Sequence, residues 1–92
     1  MDANVRREGD ALVFHGRLDR DAVPALWRKL EREAPGVGRV HLTQVDTVDS
    51  AGIALLAELA ARNPDGLLVE GMPAGLAELR HAYRLDDRLR FA

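Results

Sequence analysis

Cysteine is absent from the 92 residues, which excludes disulfides, thiol catalysis and thiolate-held metal. No charge of one sign is in excess. Thirteen basic against 15 acidic side chains leave a formal net charge of −2, so the signature of a nucleic-acid partner is missing. Long apolar runs are also absent. None approaches the roughly 18 residues that a spanning helix needs, so no direct membrane insertion is expected. The opening Met1-Asp2-Ala3-Asn4 lacks a signal-peptide pattern, and a cytoplasmic protein is the expectation. There is no Walker-type phosphate loop. His15, His41 and His81 are scattered, with neither a triad pattern nor metal-ligand spacing. Asp46 and Asp49 alone are a weak Mg²⁺ signal. The sequence therefore predicts no catalytic residues, no cofactor and no metal.

What is present is an ordinary globular composition, 47% apolar and 30% charged, in a chain sized for one small domain spanning residues 1–92. Asn4 to Glu8 and Ala11 to His15 read as two strands about a Gly9-Asp10 turn. Asp19 or Asp21 then caps a helix, with Pro24 tolerated in its first turn. Val23, Leu26, Trp27, Leu30 and Ala34 form its apolar stripe, and Pro35-Gly36 stops it. Trp27 is expected to pack in the core. Arg39 to Thr43 is the next strand, continued in pattern by Val45 and Val48. A second helix runs from Gly52 to about Arg62, and Asn63 to Gly66 is a turn. Leu67 to Glu70 reads as a strand buried on both faces. Gly71 and Pro73 open a third helix with Leu76, Leu79 and Tyr83 inward. Leu85 to Ala92 fits either a short helix or an edge strand. The predicted class is α/β, a mixed sheet of about four strands with three or four helices. Its strand–helix–strand unit from 39 to 70 requires a parallel pair with a right-handed crossover.

The stretch Val45 to Leu56 organises the rest. Asp49 or Ser50 is the expected N-cap of the second helix. At 3.6 residues per turn, Ile53, Leu56, Leu59 and Ala60 form its core stripe, and Leu55 lies about 100° from that stripe's centre. Ala51, Ala54 and Glu58 point away, leaving a flat and nearly neutral outward face that suits another protein. Gly52 either permits a close backbone approach beside Ser50 or shapes the turn. A phosphate on Ser50 would sit at a helix N-terminus and add charge next to Asp46 and Asp49, a plausible switch. The turn falls at the carboxyl end of its strand, where open α/β sheets place binding sites, and the Gly16 to Asp19 loop can reach the same edge.

Val40-His41-Leu42-Thr43 through Val48-Asp49-Ser50-Ala51-Gly52-Ile53 resembles the core signature of STAS domains, and Gly16-Arg17-Leu18-Asp19 is similar to their first loop. The resemblance covers nearly the whole chain and implies a STAS-type, anti-sigma factor antagonist-like fold. Leu26-Trp27, Glu70-Gly71-Met72 and Tyr83-Arg84-Leu85 look most like the branch that forms the small cytoplasmic subunit of the Mla phospholipid-transport ABC complex. The resemblance implies no enzymatic activity. It implies a contact with the transporter's ATPase through Asp49, Ser50, Ala51, Gly52, Ala54 and Leu55, bordered by Asp19. The membrane permease would be reached only indirectly, with the chain peripheral at the inner membrane through its complex. In the sigma-regulator branch the position of Ser50 is the phosphosite and the partner is an anti-sigma factor kinase. His41 departs from the family pattern, where that strand often carries aspartate.

Overall fold

The computed structural model describes residues 3–33, 36–63, 65–83 and 89–91. Strands β1 (Asn4–Glu8) and β2 (Ala11–Leu18) form an antiparallel hairpin whose turn contains Gly9 at φ 63°. Helix α1 (Val23–Glu33), strand β3 (Arg39–Val48), helix α2 (Ser50–Ala61), strand β4 (Leu67–Glu70), helix α3 (Leu76–Tyr83) and strand β5 (Leu89–Phe91) follow. The strands lie in the order β1-β2-β3-β4-β5, and every pairing after the first is parallel. This is the expected mixed α/β sheet with one strand more than about four: residues 89–91 form the edge beside β4.

The sheet grows one strand at a time in one direction, so right-handed crossovers place the helices on a single face. Burial agrees. One apolar cluster joins Leu12, Phe14 and Leu18 of β2, Val40 to Val48 of β3 and Leu67 and Val69 of β4 to Leu26, Leu30, Leu56 and Leu76 of the helices. Ala11 and Val13 are also buried but stand outside that cluster, on the other face. Their cross-strand neighbours there are Glu8, Arg39, Arg6 and His41. Arg6 contacts both Glu8 and His15, Arg39 reaches Asp10 at 3.2 Å, and His41 Nδ1 lies 3.1 Å from Glu70. An ion network thus covers the face that lacks helices. For the same reason β4 is not buried on both faces: Leu67 and Val69 are inside, whereas Leu68 and Glu70 are half-buried on the open side.

Strand β2 outlasts its predicted end at His15 by three residues, with irregular register around Gly16, whose φ is 83°. The extra length brings Leu18 beside Val48 and carries Asp19 to the carboxyl edge of the parallel strands. Asp19, and not Asp21, holds the entry to α1: its carbonyl accepts from the N–H groups of Ala22 and Val23, and its Oδ1 accepts from Ala22 N at 3.1 Å. Leu26 and Leu30 of the predicted stripe are fully inside. Trp27 is half-buried, packed on the margin of the core with the Arg62 guanidinium 4.6 Å above its ring. Ala34, Pro35, Pro64, residues 84–88 and the side chain of Tyr83 fall outside the described residues.

Candidate functional site

Asp49 is the N-cap of α2, in an extended backbone conformation at φ −111°, and Ser50 is the first helical residue. Asp49 Oδ1 accepts from Ala51 N at 2.9 Å and Gly52 N at 3.0 Å, satisfying two of the helix's free donors. Its Oδ2 accepts from Arg20 N at 3.1 Å, and its own N–H donates to Leu18 O at 3.2 Å. One carboxylate therefore caps the helix and ties down the loop after β2. Partial burial pushes this carboxyl up, but the N–H groups of Gly52, Arg20 and Ala51, with the Arg20 charge, outweigh that and hold it below the usual carboxylate value. Asp19, Arg20, Asp21, Asp49, Ser50 and Ala51 line a shallow recess of about 210 Å³ on this edge.

Two residues assigned to the exposed turn face inward. Leu55 is 3% exposed and belongs to the core cluster. Gly52 is buried, and a Cβ there would collide with Leu18 O. Neither is available to the partner contact expected from the sequence. Gly52 serves the close approach of the chain's own backbone. The reason for Leu55 is that α2 lies between α1 and α3 and touches both. Its buried residues Gly52, Ile53, Leu55, Leu56, Leu59 and Ala60 span an arc of about 160°, wider than a one-sided stripe. The outward arc holds Ser50, Ala54, Ala57, Glu58 and Ala61, all exposed, with Ala51 half-buried at its margin. Ala57 and Ala61 extend this face beyond the residues expected from sequence, and their 3.6-residue spacing from Ser50 and Ala54 is the signal that finds them.

A third loop joins the same edge. Gly71 and Gly75 have φ of 102° and 91°, and Cβ atoms there would lie 2.8 Å from Thr43 N and 2.6 Å from Val48 O. Val48 N donates to Ala74 O at 3.0 Å, and Thr47 bridges to Ala74. Residues 71–75 therefore run along β3 from Leu42 and Thr43 to its end, where Ala74 and Gly75 lie beside the Asp49 turn.

The histidines are elsewhere. His15 and His41 lie on the open sheet face and His81 is exposed on α3. His41 is seven residues before the end of β3, roughly 23 Å of strand from the Ser50 edge. Among the described residues, no three His, Asp or Glu side chains converge as a metal site.

A mixed sheet with helices on one face and an Asp-capped serine at its carboxyl edge defines a STAS-type domain. A family model described as "Mlab, STAS domain" matches residues 2–90, and the chain belongs to that family. It is 31% identical over 80 residues to the intermembrane phospholipid transport system binding protein MlaB of Escherichia coli K12, over 84% of this chain and 82% of that protein. MlaB of Shigella flexneri gives the same identity and coverage. A solved structure of an uncharacterized Shewanella loihica protein, described as having a SpoIIAA-like fold, is 16% identical with a TM-score of 0.48, covering 98% of this chain and 83% of that one. Among the described residues, no helix is long and apolar enough to cross a membrane.

Proposed function

We propose that this chain is the non-catalytic STAS subunit of a bacterial phospholipid-transport ABC complex of the Mla type. It binds the ATPase subunit from the cytoplasmic side and supports its assembly or activity. The permease is met only through that ATPase, and lipid is handled by other subunits. The relationship to MlaB supports the complex. The observation that carries the assigned face is the outward position of Ser50 at the start of α2, in line with Ala54, Ala57 and Ala61. These small side chains let a partner approach closely at little entropic cost, while Asp49 holds the turn rigid.

Co-expression with the ATPase of its own transport system tests the reading. Ser50→Glu and Ser50→Arg abolish co-purification and leave the circular dichroism spectrum of the isolated domain unchanged. Co-purification that survives Ser50→Arg would falsify the assigned face. A second reading is an anti-sigma factor antagonist phosphorylated on Ser50 by an anti-sigma factor kinase, favoured by the exposure of that hydroxyl at a helix N-terminus. Incubation with the candidate kinase and ATP, followed by intact mass, distinguishes the two. Addition of one phosphate supports the switch, and an unmodified mass leaves the transport reading.

A further inference from the structure

The exposed large hydrophobic side chain among the described residues is Met72, with half of its surface open to solvent. An isolated surface hydrophobe is ordinary and needs no explanation by itself. Three observations set this one apart. First, its loop is not free to swing. Gly71 and Gly75 bracket it at backbone angles that other residues rarely adopt, each so close to β3 that a Cβ would overlap backbone atoms. Second, Val48 N–Ala74 O and Leu76 N–Pro73 O bonds at 3.0 and 3.1 Å fix the loop's far half. Third, the loop adjoins the Ser50 turn directly, because Ala74 bonds to Val48 and bridges to Thr47, just before Asp49. A flexible apolar side chain is thus presented on an immobilised backbone, two residues before the Ala74 contact with Val48 at the edge proposed to meet the ATPase.

We infer that Met72 is an apolar anchor of that docking surface and enters an apolar recess on the ATPase subunit. The inference rests on the proposed function. The surroundings define the chemistry of the partner surface. Asp19, Asp21, Asp46 and Asp49 outnumber Arg17 and Arg20 on this edge, so the recess is rimmed by basic side chains. The backbone ordering that binding would otherwise require is already in place, so burying the thioether tail contributes to residence of the complex at the cost of side-chain rotamer freedom alone.

Titration of the ATPase with the full chain tests this. Met72→Glu weakens the complex by about tenfold or more, the scale of a central interface residue, whereas Met72→Leu stays within about threefold because it keeps apolar volume. Sedimentation of the free chain is the second measurement, and it shows the same mass for wild type and Met72→Glu. If Ser50→Arg abolishes binding while Met72→Glu binds as wild type, the anchor is overturned and the docking face stands. If the wild-type chain does not bind the ATPase, both fail. If the free chain is a dimer that Met72→Glu dissolves, the patch belongs to a second copy and the inference is overturned.

Discussion

At Gly52 a single hydrogen atom decides whether two loops can meet. Its place in α2 is conformationally ordinary, so the requirement for glycine comes from Leu18 O and not from a backbone angle. Gly52→Ala forces that carbonyl away and loosens the bond from Asp49 N to Leu18 O. The expected loss is about 1–3 kcal/mol, as for overpacking elsewhere, read as a lower urea midpoint at unchanged slope. Asp49 makes a separate prediction through pH. Its folded pKa is lowered, so the stability it contributes is fully present above the unfolded carboxylate value near 3.9 and is lost as pH falls through the folded value. Asp49→Asn therefore flattens the acid side of the stability profile, and Asp49→Ala costs about 0.5–2 kcal/mol at neutral pH as a lost cap. An acid limb that is identical in wild type and Asp49→Asn would remove the carboxylate from this role.

At the scale of elements, α2 separates what a linear pattern reveals from what needs neighbours. Asp49 as cap and Ile53, Leu56, Leu59 and Ala60 as core are readable from residue type and period. Leu55 is not, because its burial depends on α1 and α3 closing on both flanks of α2. The partner of Gly52 was equally hidden, since Leu18 lies far earlier in the chain. The end of β2 was obscured by Gly16, which looks like a strand terminator but sits inside the strand at an irregular register. Leu68 lies on the open side, and an apolar run of three cannot say whether one or two helix layers cover a sheet. These differences set opposite expectations for adjacent residues. Leu55→Ala opens a core cavity and costs about 2–5 kcal/mol. Ala54→Arg, one position earlier on the outward arc, changes stability by less than about 0.5 kcal/mol. Chemical denaturation of both variants checks the pair, and similar losses would place Ala54 against the chain's own core.

On the scale of the whole molecule, charge and apolar surface are distributed differently over the two sides. The open sheet face pairs its own polar groups: Arg6 with Glu8, Arg39 with Asp10, and His41 with Glu70. It offers a partner little beyond solvated polar pairs, whose exposure to water leaves them weak. The carboxyl edge instead combines an acidic excess with the small-residue arc of α2 and Met72. Such a division assigns the two rates of docking to different side chains. On the proposed function, rim charges steer encounter, so the association rate with the ATPase falls as salt rises and the Debye length shrinks from about 10 Å at 0.1 M. Asp21→Asn with Asp46→Asn lowers association and flattens its salt dependence, with dissociation nearly unchanged. Met72→Ala, which changes no charge, does the reverse, acting mainly on dissociation. Arg6→Gln on the open face leaves both rates at their wild-type values. Surface plasmon resonance across a salt series reads all three; an association rate that ignores salt would remove steering by the acidic edge, and one that responds to Arg6→Gln would place the ATPase on the sheet face instead.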